Sequence, residues 1–137
     1  MVWNGRMALQ TFNPDGSQQD SWSASFTLQG TPEQGQLDLF SPLGAQLALL
    51  QWNPAGALLR QGQQQVPSDS LAALIERSLG TALPIDAFFA WLQGRPHAAE
   101  GWQADLGQYA QGRIHAQRLQ PLPSAQLKII LQAPAAP

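Results

Sequence analysis

The sequence is poor in three features, and each scarcity removes a class of function. There is no cysteine, which excludes thiolate catalysis, disulfides and cysteine-based metal sites. Charged residues make up 12% of the 137 residues, and the net charge is -2. The seven Lys and Arg are scattered along the chain, so no basic patch and no nucleic-acid partner are predicted, because nucleic-acid affinity depends on clustered phosphate contacts. No apolar run approaches the roughly 18 residues that a membrane-spanning helix needs.

The start of the chain shows no targeting signal. It opens on Met1-Val2-Trp3-Asn4-Gly5-Arg6, which lacks a charged start followed by an apolar run. The protein is therefore expected either to be cytoplasmic or to be the mature part of an exported protein. Its length fits a single domain over residues 1–137, with residues 133–137 expected to form a disordered tail.

Alternating apolar and polar residues predict strands through the first half of the chain. The clearest case runs from Trp22 to Leu28, where every second residue is apolar. Turn-forming segments at Asn13-Pro14-Asp15-Gly16 and Asn53-Pro54-Ala55-Gly56 separate successive strands, which indicates an antiparallel meander. The strands predicted in this half cover residues 3–12, 21–28, 34–40 and 45–52, and residues 57–66 are predicted to form one or two short strands.

Two helices follow. The first is predicted over residues 69–79, with Ser68 or Asp69 as its N-cap and Gly80 as its C-cap, because apolar residues recur there at helical spacing. The second is predicted over residues 85–93 and is apolar nearly all round, so most of its surface must be covered. Pro84 suits its start and Gly94 its end. Its large apolar side chains are Phe88, Phe89 and Trp91.

The fold class is therefore mainly β with inserted helices. Three more strands are predicted over residues 102–106, 113–119 and 125–131, which brings the strands placed on the sequence to eight or nine. For the whole protein we predict one antiparallel sheet of about ten strands. The two helices are expected to lie across the concave face of that sheet.

Residues for catalysis are dispersed. His97 is predicted in a loop and His115 in a strand, and neither has a ligand-type neighbour at metal spacing. No motif for nucleotide binding, zinc hydrolysis or a serine nucleophile is present. We predict no catalytic residue, no metal site and no cofactor. A small hydrolase assembled on a β-sheet scaffold from residues distant in sequence stays an alternative.

The segment Ser41-Pro42-Leu43-Gly44 fits a type I β-turn, since it has Ser first, Pro second and Gly fourth. Leu43 would then stand at the turn tip, where soluble proteins usually place a polar residue. Either it folds back onto its own protein, or it is a hydrophobic probe for a membrane or a client.

Bulky residues also occupy both faces of some strands. In the strand over residues 45–52, Leu47 and Leu49 face one way while Leu50 and Trp52 face the other. One face is expected to pack under the helices while the other lines a pocket, unless the sheet is simply covered on both sides. The residues predicted to meet a ligand or a lid are Leu37, Leu39, Leu47, Leu49, Phe88, Phe89 and Trp91.

Several motifs in order resemble those of the LolB family of lipoprotein receptors. Trp3 followed by Gly5-Arg6-Met7-Ala8-Leu9 is similar to the family's opening. Ser41-Pro42-Leu43-Gly44 is similar to its leucine turn, and Leu83-Pro84-Ile85 with Trp91-Leu92-Gln93-Gly94-Arg95-Pro96 to its later motifs. The resemblance covers roughly residues 3 to 131.

The resemblance implies an incomplete antiparallel β-barrel, or curved sheet, closed by a helical lid. It implies that the concave face holds lipoprotein acyl chains received from a periplasmic LolA-like carrier, and that Leu43 acts in delivery to the inner leaflet of the outer membrane. The expected location is the periplasmic face of the outer membrane, through a lipid anchor not present in this chain. A monomer is expected.

Two other functions stay open at this stage. A soluble periplasmic carrier like LolA would share the fold and the ligand but have no membrane anchor. A purely structural interaction domain would show a filled interior.

Overall fold

Nine strands of the described chain pair into one antiparallel sheet. The computed structural model describes residues 2–79, 83–97, 99, 101–119 and 124–132. The expected tail, 133–137, and the predicted cap Gly80 lie outside them. The strands are β1 (Val2–Phe12), β2 (Gln18–Gly30), β3 (Gly35–Phe40), β4 (Gln46–Asn53), β5 (Gly56–Gln61), β6 (Gln64–Ser68), β7 (Trp102–Asp105), β8 (Arg113–Arg118) and β9 (Ser124–Leu131). The helices are α1 (Leu71–Leu79), α2 (Ile85–Leu92) and a short 3₁₀ turn (Tyr109–Gln111).

The order of strands across the sheet explains why the barrel is incomplete. It runs β6-β5-β4-β3-β2-β1-β9-β8-β7, so β1 joins the N-terminal meander to the C-terminal strands. Among the described residues β6 and β7 are the two edges and do not pair with each other. The predicted mainly β fold, an open antiparallel sheet with two helices, is confirmed, with nine described strands where about ten were predicted.

Strand alternation divides the sheet into two unlike faces. In β1, the side chains of Met7 and Leu9 are buried on one face of the sheet, whereas Arg6, which points to the opposite face, is exposed. The pattern is kept across strands, because Leu37 pairs with Leu50 and Leu50 with Leu59, all three buried. We call the face that carries these residues the inner face, and the opposite one the outer face.

Helix α1 begins two residues later than predicted. Ser70 is its N-cap, since the Ser70 Oγ accepts a hydrogen bond from the Ala73 N–H at 3.1 Å. The expectation of Ser68 or Asp69 as the cap is wrong, because β6 extends through Ser68, whose Oγ accepts from the Ser70 N–H instead. Leu74 and Ile75 bury the inner side of α1 against the sheet.

Helix α2 ends in a C-cap motif that is closed by backbone hydrogen bonds. The Arg95 N–H donates to the Ala90 carbonyl and the Gly94 N–H to the Trp91 carbonyl, both at 2.9 Å, which is the Schellman arrangement. It requires Gly94 at a φ of 74°, a left-handed conformation that side chains resist. The Tyr109 hydroxyl then donates to the Leu92 carbonyl at 2.8 Å and closes the helix end.

Gly94 should therefore tolerate no side chain. A Cβ there would lie 2.6 Å from the Tyr109 ring, in addition to the left-handed strain. We expect Gly94→Ala to lower the free energy of unfolding by about 2–4 kcal/mol, measured by urea denaturation. Gly44→Ala is the control, because Gly44 has a φ of 89° but nothing within 4 Å of its Cβ position. A loss no larger than that of the control would contradict the packing argument.

Candidate functional site: an apolar inner face and an exposed leucine

The inner face and α2 share one apolar cluster. All six residues from Ala87 to Leu92 are buried, so the helix is covered on every side, as its sequence predicts. The sheet contributes the other half of the cluster: Met7, Leu9, Phe26, Leu28, Leu37, Leu39, Leu50, Trp52, Leu59, Ile114, Leu127 and Ile129.

Aromatic contacts fix α2 on this face. The Phe89 ring meets Trp3 of β1 edge-on, with ring centroids 5.6 Å apart, and Trp52 of β4 at 6.4 Å. On the other side of the helix, the Trp91 ring lies 6.0 Å from that of Trp102 in β7. Such tilted and edge-on pairs are favourable geometries for aromatic rings. One short helix thus contacts strands far apart in the sheet order.

These contacts show how strongly the sheet curves. Six strand spacings separate β4 from β7, which would be about 29 Å in a flat sheet. A helix with its side chains is only about 10–12 Å wide. The sheet therefore wraps around α2, and the inner face is the concave one, as predicted.

A polar cluster lies at the β7–β8 end of this apolar face. Arg118 is 6% exposed, and its guanidinium lies 5.8 Å from the centre of the Trp102 ring. Burial lowers the pKa of Arg118, while the charge of Glu76 opposes that shift. Nearby, the Trp91 Nε1 is buried without a hydrogen-bond partner among the described residues.

The structure separates the seven residues predicted to meet a ligand or a lid. It places Leu37, Leu39, Phe88, Phe89 and Trp91 together in the buried inner cluster. Leu47 is exposed and Leu49 half-buried, and both lie on the outer face. The predicted parity within β4 is right, but placing Leu47 and Leu49 in the same lining as Leu37 and Leu39 is wrong. The cross-strand register shows why: Leu49 pairs with the outer-face Asp38, whereas Leu37 pairs with Leu50.

The predicted turn is present, and its tip is exposed. The Gly44 N–H donates to the Ser41 carbonyl at 2.9 Å, which closes a β-turn around Pro42 and Leu43. The Ser41 N–H and the Ala45 carbonyl close the loop at 2.8 Å, and the Ser41 Oγ accepts from the Ala45 N–H. Leu43 is 97% exposed, so it does not fold back onto the protein.

Groups suited to catalysis are not brought together in the described part of the chain. His97 and His115 are both exposed. No group of three His, Asp or Glu that would suit a metal ion occurs among the described residues. Neither described helix has the length and apolarity to cross a membrane.

Two structural roles escaped the sequence prediction. Gly5 is the site of a close strand approach, because a Cβ there would collide with the Ile130 carbonyl oxygen of β9. Tyr109 closes the end of α2 from a distant 3₁₀ turn. The role of Gly5 could have been suspected from a glycine inside a strand, which often marks a close approach of another backbone. No local sequence pattern marks the role of Tyr109.

An open antiparallel sheet wraps its apolar face around a buried helix, and a turn between β3 and β4 exposes a leucine; these features define a small β protein whose apolar inner face is covered by α2. The chain belongs to the LolB family of outer-membrane lipoproteins, whose family model matches residues 2–126. This confirms the resemblance derived from the motifs.

Individual proteins similar to this chain belong to the same family. The chain is 31% identical over 140 aligned residues to the outer-membrane lipoprotein LolB of Bordetella petrii, which covers 85% of this chain and 70% of that protein. It is 36% identical over 92 residues to the LolB of Cupriavidus metallidurans, covering 65% of this chain and 43% of that protein. It is 40% identical over 88 residues to the LolB of Cupriavidus necator, and this alignment covers 60% of this chain and 43% of that protein. The chain thus spans less than half the length of these last two relatives.

Proposed function

We propose that this protein is a lipoprotein receptor of the outer membrane, which accepts lipoproteins from a LolA-like periplasmic carrier and inserts them into the inner leaflet. The observation that supports this most is Leu43, fully outside the core on an ordered turn beside an apolar sheet. The protein acts as a monomer, held at the periplasmic face by a lipid anchor, and binding and release need no catalytic group.

The inner face supplies the shelter for the acyl chains. Each methylene group removed from water contributes about 0.8 kcal/mol, so a lipid anchor in transit needs an apolar surface of this kind. In the structure α2 occupies that surface, with Phe88 and Phe89 packed on the sheet. Acyl chains and the side chains of α2 therefore compete for the same face, and α2 serves as the lid that yields to the ligand. Binding is consequently reversible, which transfer requires.

Leu43 favours the receptor over the soluble carrier. A protein that only transports its cargo through water gains nothing from a bare leucine, whose exposed surface would be stabilised only by an apolar partner or a bilayer. A receptor that delivers into a membrane uses this surface at the last step.

Binding of a fluorescent fatty-acyl probe tests the shelter. We expect saturable binding with a micromolar Kd, about -8 kcal/mol, and quenching or energy transfer from the tryptophans of the inner face. The matched variants are Leu37→Asp on the inner face and Leu49→Asp on the outer face, studied at temperatures where both are folded. Loss of binding in the second variant alone, or no saturable binding by the wild type, would contradict the proposal.

A further inference from the structure

Strand pairing gathers cations that are far apart in the sequence. Arg6 of β1 and Arg113 of β8 both pair with Ile130 of β9, so the three form one row across the outer face. Lys128 lies two residues along β9 on the same face and pairs with His115 of β8. We call Arg6, Arg113, His115, Lys128 and Ile130 the outer basic patch. The prediction that scattered cations form no patch is wrong here, because β1, β8 and β9 are neighbours only in the folded sheet.

Charge is unbalanced in this patch. It holds three of the seven Lys and Arg of a chain whose net charge is -2. Arg6 and Arg113 lie two strand spacings apart, about 10 Å. Among the described residues, the structure shows no side-chain hydrogen bond or ion pair for Arg6, Arg113 or Lys128. Asp105 is the neighbouring acid, and its Oδ1 accepts from the Gly107 N–H at 2.8 Å. Unpaired like charges on adjacent strands repel one another and are stabilised by an external anion.

Apolar surface is interleaved with these charges. Ile130 is 52% exposed and separates two shallow grooves. The groove on one side, of about 500 Å³, is lined by Arg113, His115 and Lys128. The groove on the other side, of about 440 Å³, is lined by Arg6 and Phe40. Cations alternating with exposed aliphatic side chains are typical of a surface that lies on anionic phospholipid.

The patch is continuous with the leucine turn. Arg6 pairs with Ser25 and Ser25 with Phe40, so the row of the patch reaches the last residue of β3. Ser41 and the exposed Leu43 follow directly. Gln46 of β4 pairs with Phe40, and the next residue, Leu47, is 48% exposed and adds apolar surface to the outer face.

We infer that the outer basic patch binds the phosphate groups of an anionic phospholipid membrane and lays the outer face of β8, β9 and β1 on it, while Leu43 enters the apolar layer. This deepens the proposed function and rests on it, since it assigns the surface that orients the receptor at its target. A protein of net charge -2 can approach an anionic membrane only through such a local excess of cations.

The test compares two double variants that remove the same charge. Arg113→Gln with Lys128→Gln removes two patch cations, whereas Arg60→Gln with Arg77→Gln removes two exposed cations of β5 and α1. Partitioning is measured by co-sedimentation with vesicles of phosphatidylglycerol and phosphatidylcholine, and with vesicles of phosphatidylcholine alone. Each cation at an anionic surface is worth about fivefold in partitioning, so the patch variant should bind the mixed vesicles about 30-fold more weakly. The control should change by less than threefold, and raising the salt should weaken wild-type binding.

Several results would overturn the inference. Equal losses in both double variants would show that overall charge, and not the patch, controls partitioning. Normal vesicle binding by the patch variant, combined with poor acceptance of lipoprotein from the carrier, would assign the patch to the carrier protein instead. Acyl-probe binding separates this inference from the proposed function: the patch variant should bind the probe like wild type. A wild type that binds anionic vesicles through the patch but binds no probe would refute the shelter and leave the patch standing.

Discussion

Leu43→Glu is expected to weaken delivery of lipoprotein into liposomes strongly while leaving the fold and the acceptance of lipoprotein intact. Because Leu43 is 97% exposed, its replacement should change the free energy of unfolding by well under about 1 kcal/mol. A leucine at a bilayer interface gains about 1–2 kcal/mol from its buried surface, and a carboxylate is penalised there. Incorporation into liposomes should therefore fall at least about tenfold. Thermal melting, transfer from carrier-bound lipoprotein and liposome incorporation measure the three steps separately.

Leu119→Glu is the control for the added charge. Leu119 is 53% exposed and follows β8, away from the turn. It should remain competent at the membrane step. A large fall in the melting temperature of Leu43→Glu would make Leu43 a packing residue after all. Normal incorporation by a stable Leu43→Glu variant would show that the turn has no part in delivery.

Leu50→Ala should be far more damaging to the fold than the same change at Leu43. Leu50 is fully buried on the inner face, paired with Leu37 and Leu59. Truncating it removes buried methyl groups and leaves a cavity, so we expect the free energy of unfolding to fall by about 2–5 kcal/mol. Leu43→Ala should stay within about 0.5 kcal/mol of wild type. Urea denaturation of both variants under one set of conditions measures the difference. Similar values for the two leucines would contradict the assignment of the inner face as core.

The strands and helices were predictable from the sequence because their signals are local. A period of two from Trp22 to Leu28, and the proline and glycine residues of the turns, depend only on neighbouring residues. The leucine turn is an instance: Ser41, Pro42 and Gly44 were sufficient to predict the hydrogen bond that closes it. The N-cap of α1 was harder to predict, because Ser68, Asp69 and Ser70 are all suitable residues. The end of β6 at Ser68 determines that Ser70 takes this position.

The composition of the site was less predictable because it depends on non-local pairing. Leu47 and Leu50 have the same side chain, and only the register with β3 and the position of α2 determine which one is buried. The outer basic patch is a stronger case. Arg6, Arg113 and Lys128 come from distant parts of the chain, and no pattern in the sequence shows that β9 lies between β1 and β8.

The most direct test of the proposed shelter is a photocrosslink to the lipid itself. Benzoylphenylalanine replaces either Phe89 of α2, whose ring packs on the inner face, or Phe40 on the outer face of β3. Each protein receives from the carrier a lipoprotein with radiolabelled acyl chains and is then irradiated. We expect a labelled adduct from position 89 and none from position 40. Labelling at position 40 without labelling at 89 would contradict the claim that acyl chains occupy the inner face.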